Sequence, residues 1–140
     1  MSGRKIGFVA STFDCLHAGH ISMLQEAAAN CDFLIAGLHV DPSKERITKE
    51  PPLQSLLERQ IQLSAVKYID QIFVYETEDG LLDLLKCIKI DVRFLGEEYR
   101  GQCFTGMHLS IPIHYNARQH HWSSTRQREV LRRNMNGENG

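Results

Sequence analysis

The sequence predicts an α/β fold, a three-layer sandwich built on a parallel five-stranded sheet. Three observations carry that expectation. Short β-type runs alternate with helix-spaced segments from end to end, which calls for right-handed crossovers and a sheet covered on both faces. The 140 residues, 42% hydrophobic and 24% charged, suit one domain with its own core. The third is placement. The stretch STFDCLHAGH, residues 11–20, sets an acid, a cysteine and two histidines directly after the first strand, where sheets of this kind hold their ligands.

The elements follow in order. KIGFVA (5–10) reads as the first strand, and ISMLQEAAA (21–29) switches to helical spacing. DFLIAGLHV (32–40) is the second strand. The polar stretch DPSKERITKEPP (41–52) is a loop, since regular structure cannot run past Pro51. LQSLLERQIQLSAV (53–66) places Leu53, Leu56, Leu57, Ile61 and Val66 roughly on one helical face. QIFVYE is the third strand, GLLDLLKCI the third helix and DVRFLG the fourth strand. LSIPIHY is the fifth, with Pro112 pointing to an edge position or an irregular start. SSTRQREVLRRN is the last helix; the single domain then covers 1–134, with a frayed tail over 135–140.

The net charge of −1 gives no general attraction to nucleic acid or to an anionic membrane, so an anion site must be local. The start MSGRKIGFVA has too short an apolar run for a signal peptide, and no 18-residue apolar stretch offers a membrane span. The four cysteines, Cys15, Cys31, Cys87 and Cys103, form no CxxC pair and suit free thiols in a reducing cytoplasm.

His17 and His20 flank Ala18 and Gly19 where the chain enters the first helix. Gly19 lets the backbone come close to a ligand, and a helix start offers unpaired N–H groups and a positive dipole end. Two imidazoles added there would make a polyphosphate cradle; a plain capping histidine is the alternative. Asp14 could orient an imidazole or hold a cation against a phosphate, or simply satisfy turn N–H groups. Lys44, Arg46 and Lys49 lie in the proline-bounded loop, with Arg59 on the next helix. They could clamp a phosphate, although the interleaved Glu45 and Glu50 also fit a solvated charge run.

In RQHHWSSTRQRE, Ser123, Ser124 and Thr125 open the last helix between Arg118 and Arg126, a second helix start suited to anions. Two such starts suggest a nucleoside triphosphate. His108, His114, His120 and His121 fit no tight metal spacing and read as packing or base contacts. In LGEEYRG, Glu97 or Glu98 could meet a ribose or substrate hydroxyl and Tyr99 could stack on a base, or the segment is an acidic surface turn.

These segments together resemble a known family. TFDCLHAGH is similar to the TFDxxHxGH signature of the HxGH nucleotidyltransferases, and within them to the small cytidylyltransferases of the glycerol-3-phosphate type. LLERQIQLSAVKYIDQIFV, LGEEYRG and RQHHWSST resemble further segments of that family in the same order. The resemblance implies a Rossmann-like homodimer that transfers CMP from CTP, with Mg2+, to a small phosphorylated alcohol such as glycerol 3-phosphate. Pyrophosphate would leave in an in-line step with no covalent intermediate. It implies that His17, His20, Lys49 and Arg118 are catalytic. Thr12, Phe13, Gly19, Glu98, Arg118, Ser123, Ser124, Thr125 and Arg126 would bind the nucleotide. Asp14, Lys49, Arg59 and Lys67 would face the substrate phosphate, with Asp14 near the metal. Ser11, Lys67, Glu97, Glu98 and the His120–Trp122 segment depart from the family pattern. WSSTRQR also resembles a segment of adenylyltransferases in the same superfamily, so an enzyme using ATP on a phosphorylated cofactor precursor or sugar phosphate is the alternative.

Overall fold

The computed structural model describes residues 3–117. Five strands, β1 (Ile6–Ser11), β2 (Phe33–His39), β3 (Gln71–Tyr75), β4 (Val92–Gly96) and β5 (Ile113–Asn116), form one sheet in the order β3-β2-β1-β4-β5. Every neighbouring pair is parallel. The order reverses between β1 and β4, so their carboxyl ends open the crevice where such sheets take ligands. β5 is an edge strand that starts directly after Pro112, whose carbonyl accepts the Arg93 N–H. A proline there costs the sheet no ladder bond. The expected last helix lies outside the described residues.

Helices α1 (Ala18–Ala29) and α2 (Leu56–Ser64) contribute Leu24, Ala27 and Leu63 to a core with Val9, Leu34, Leu38 and Phe94. Helix α3 (Glu78–Cys87) closes the opposite face, where Leu81 and Leu85 meet Phe8, Ile35 and Tyr75. Alternation along the strands separates the two cores: Phe8 and its register partner Arg93 point to the α3 side, Val9 and Phe94 to the other. Local signals set the helix starts. Ser55 caps α2 in a reciprocal capping box with Glu58, and Thr77 caps α3 ahead of Glu78 and Asp79.

One expectation needs correction here. The residues from Leu53 to Val66 do not share a buried face. Leu63 and Arg59 are buried, whereas Leu53, Leu57 and Ile61 are 60%, 66% and 60% exposed. The helix starts three residues later than its apolar pattern, at the Ser55 cap, and turns Leu57 and Ile61 outward.

Candidate active site

The segment after β1 is held in a conformation that side chains rarely adopt. Phe13 and Cys15 both have positive φ, 50° and 51°, at about 1 kcal/mol each for a non-glycine residue. The surroundings fix them. Phe13 is only 1% exposed, the Ser11 hydroxyl accepts its N–H, and Gln54 Oε1 accepts the Cys15 N–H at 2.9 Å. Asp14 lies between them with one carboxylate oxygen accepting the Leu53 N–H and the other the Gln54 N–H, at 2.9 and 3.0 Å. The signature segment is thus laced to the chain that returns from the basic loop.

His17 is the N-cap of α1: its Nδ1 accepts the Gly19 N–H at 3.0 Å, while His20 Nδ1 accepts the His17 N–H at 3.2 Å. The two rings lie 4.0 Å apart. An imidazole whose Nδ1 accepts carries its proton on Nε2 when neutral, so both rings become Nε2–H donors. Burial, and then the neighbouring His17, push the His20 pKa down to about 4 against the opposing pull of Asp14. His20 is therefore a neutral donor at pH 7, and the capping role foreseen as an alternative to phosphate binding is what orients both donors.

The cleft, about 1130 Å³, runs over the carboxyl ends of the strands. His20, Thr12, Phe13, Asp14, Lys49 and Glu98 line it, so of the expected site residues these come together. Glu98 faces it, while Glu97 is turned to an ion pair with Arg100. Gly19 sits in the first turn of α1. His114 bonds Glu26 of α1 at 2.8 Å, a packing contact. Arg118, Ser123, Ser124, Thr125 and Arg126, with His120, His121 and Trp122, lie outside the described residues.

Two residues expected to face the substrate phosphate, Arg59 and Lys67, do not line the cleft. Arg59 is 2% exposed, and its guanidinium donates to the carbonyls of Gln54, Thr12, His39 and Val40 at 3.2, 3.0, 2.7 and 2.7 Å. It ties the end of β1 to the end of β2 rather than reaching for substrate. Lys67 is exposed and stacks over Tyr68, in the turn whose Asp70 bonds the Leu34 backbone at the start of β2. That is the amino edge of the sheet, away from the cleft. Asp14, the expected metal ligand, spends both oxygens on backbone N–H groups, and among the described residues no cluster of three His, Cys, Asp or Glu could hold an ion.

Sequence reasoning missed the cleft's far end. His39 stacks on Tyr75 with ring centroids 4.6 Å apart, and both are buried. Arg93, 4% exposed, donates from one terminal nitrogen to the Thr105 carbonyl and lies over the Phe104 ring. Gly106, at φ 82°, lets the loop close there; a Cβ would stand 2.6 Å from Leu85 and 3.2 Å from Arg93. Glu78 joins this end through Thr105 Oγ1 at 2.7 Å and Arg46 at 3.2 Å. His39 Nε2, Arg93 Nε and, on β5, Asn116 Oδ1 are buried with no hydrogen-bond partner among the described residues, and all three residues line the cleft. The one available signal was Arg93 itself, a charge between Val92 and Phe94 in a buried strand.

Comparison with known proteins fits this geometry. Among solved structures, the lipopolysaccharide core biosynthesis protein from Thermoplasma volcanium superposes with a TM-score of 0.67 at 23% identity, covering 86% of this chain and 100% of that one. The pantoate-beta-alanine ligase of Francisella tularensis, complexed with beta-gamma ATP and beta-alanine, gives 0.63 at 22% identity over 89% and 65%. Both share the fold. In sequence, the Bifunctional protein HldE of Wolinella succinogenes is 39% identical over 108 residues, 76% of this chain and 23% of that protein. HldE of Acidiphilium cryptum is 37% identical over 105 residues, 74% and 21%. The chain thus spans less than a quarter of the length of these curated relatives. Residues 8–130 match the family described as cytidylyltransferase-like, and the chain belongs to that nucleotidyltransferase family.

Proposed function

We propose that the protein transfers a nucleotidyl group from a nucleoside triphosphate to the phosphate of a small polyol or sugar phosphate. The observation that carries this reading is His20, a neutral and oriented Nε2–H donor that lines the cleft at the start of α1, where strand order reverses, with the His17 ring 4.0 Å away. An acceptor phosphate oxygen attacks the α-phosphorus in line, the bond to the bridging oxygen breaks, and pyrophosphate leaves with the electron pair. Charge grows on the oxygens around phosphorus, and donors fixed beforehand stabilise it more than they stabilise the ground state. Lys49, exposed at the cleft's rim, adds a cation on a loop that can approach the phosphates.

Magnesium fits this site as an ion carried in by the triphosphate, because the described residues offer no cage for it and Mg2+ takes much of its coordination from substrate phosphates and water. It would draw charge off the phosphates. A homodimer is supported by the exposed Leu53, Leu57 and Ile61 beside the cleft's loop.

ATP is the donor to test first. WSSTRQR resembles the adenylyltransferase segment, and the fold accommodates an ATP compound in the Francisella ligase. CTP is the second reading, supported by the TFDCLHAGH likeness and the family description. Pyrophosphate release with magnesium, comparing ATP and CTP across phosphorylated acceptors, decides between them. Release with neither donor on any acceptor, alongside intact folding, removes the transfer reading.

A further inference from the structure

We infer that Glu78 is a positioning residue that yokes two loops along the cleft, so that the basic loop carrying Lys49 and the loop over residues 100–109 take up their places together. What Lys49 does there rests on the transfer reading; the yoke itself stands on contacts within the chain.

Glu78 opens α3 directly after the Thr77 cap, where an acid needs no partner beyond the helix dipole. Here both carboxylate oxygens are taken by side chains from two different loops. Oε1 accepts from Arg46 Nη2 at 3.2 Å, and Oε2 accepts from the Thr105 hydroxyl at 2.7 Å. The Glu78 backbone N–H adds a second tie to the basic loop, donating to Glu45 Oε1 at 2.9 Å.

Each arm continues into the loop it holds. On the basic side, the Lys49 N–H donates to the Arg46 carbonyl and the Arg46 N–H to the Pro42 carbonyl, both at 3.0 Å, so Arg46 and Lys49 belong to one hydrogen-bonded turn. Ile47 between them is wholly exposed, which leaves that turn little packing of its own. On the other side, the Thr105 carbonyl accepts from Arg93, the buried cation of β4, whose guanidinium also lies over Phe104. The contacts thus run from a strand in the middle of the sheet through Thr105 and Glu78 to an exposed turn at the rim. Arg46, Lys49, Glu78 and Thr105 all line the cleft.

A lone surface ion pair contributes little, and the Arg46 side chain is 45% exposed. Sharing the carboxylate changes that. Once Thr105 has fixed its rotamer, less freedom remains to be lost when Arg46 joins, so each arm strengthens the other. Such coupling is reciprocal: a change at one loop must be felt at the other.

The test is amide hydrogen exchange on the whole chain without ligand. It reads the Arg46 and Lys49 amides in one loop and the Met107 and Leu109 amides in the other, each bonded within its own loop. Thr105→Val removes one hydroxyl and should speed exchange at Arg46 and Lys49 about threefold, and Arg46→Met should do the same at Met107 and Leu109. Glu78→Ala should raise both pairs about tenfold, in keeping with loss of hydrogen bonds to a charged group. The β1 and β2 amides should exchange as before. Acceleration confined to the substituted loop overturns the yoke, as does equal acceleration in β1 and β2, the mark of general loosening. In pyrophosphate release, the turnover lost in Lys49→Ala should shrink severalfold when Glu78→Ala is already present, because a misplaced lysine has less left to lose. Additive losses overturn the positioning role. Coupled exchange without pyrophosphate release on any acceptor keeps the yoke and removes the transfer reading.

Discussion

The two ends of the cleft are finished to different degrees. At the α1 end each imidazole Nδ1 accepts a backbone N–H, and both oxygens of Asp14 do the same. Across the cleft, His39 Nε2 on β2 and Arg93 Nε on β4 are buried without partners among the described residues. A phosphate is the same on every acceptor, so the groups that meet it can be fixed in advance by the backbone. One crevice thus holds a side fixed by the backbone and a side that keeps buried polar atoms in reserve.

Arg59 joins the two ends, and removing it breaks the contrast at both. Four carbonyls lose their donor in Arg59→Ala, two of them at the end of β2 and one in the histidine segment. Denaturant unfolding should show a loss of about 4 kcal/mol. A loss below about 1 kcal/mol, with weakened substrate binding instead, would return Arg59 to the phosphate role expected from sequence.

The histidine end can be sharpened by separating its two duties. His17→Asn keeps a capping oxygen for the Gly19 N–H but deletes the Nε2 donor. Turnover should fall about 100- to 1000-fold, or roughly 3–4 kcal/mol, with stability held within about 0.5 kcal/mol. His17→Ala should add the loss of the cap, about 1 kcal/mol. If His17→Asn turns over normally, the ring only caps the helix.

Acid should expose the same end. The His20 pKa stands at about 4, below its ordinary 6.5. Between those values the unfolded chain takes a proton that the native state refuses, so stability falls as pH drops from about 6.5 to 4 and levels off below. The full loss is about 3 kcal/mol. Thermal unfolding across that range should show it, and His20→Gln should flatten the slope. An unchanged slope in that variant would place the proton elsewhere.

How much of this was legible follows from how local each signal is. The sheet was legible because apolar runs and helical spacing alternate within short windows, and the edge position of β5 because Pro112 has no N–H to give to a further strand. His17 and His20 stood out since titratable groups directly follow a strand. Arg59 misled because a basic residue on an amphipathic helix reads as solvent-facing or phosphate-facing. Its burial depends on carbonyls contributed from residues 12, 39 and 40, which no sequence window contains. His39 and Tyr75 were hidden for a similar reason: each reads as an ordinary strand end until β2 and β3 pair and stack them.

Lys67 gives the smallest effect and the cleanest check on where the cleft stops. The family likeness would set it against a substrate phosphate, yet its turn sits at the amino edge, where Asp70 accepts the N–H of Leu34. A strand of several residues at about 3.3 Å each separates that edge from the carboxyl ends, beyond the reach of a lysine side chain. Lys67→Met should therefore leave acceptor KM and turnover unchanged and shift stability by no more than about 0.5 kcal/mol, the usual range for an exposed position. A severalfold rise in acceptor KM would mean that Lys67 meets substrate from another copy of the chain, since its own copy cannot bring it there. Measuring that KM at two protein concentrations on either side of any dimer transition would then separate the two geometries, because a residue supplied by a neighbour acts only when the neighbour is bound.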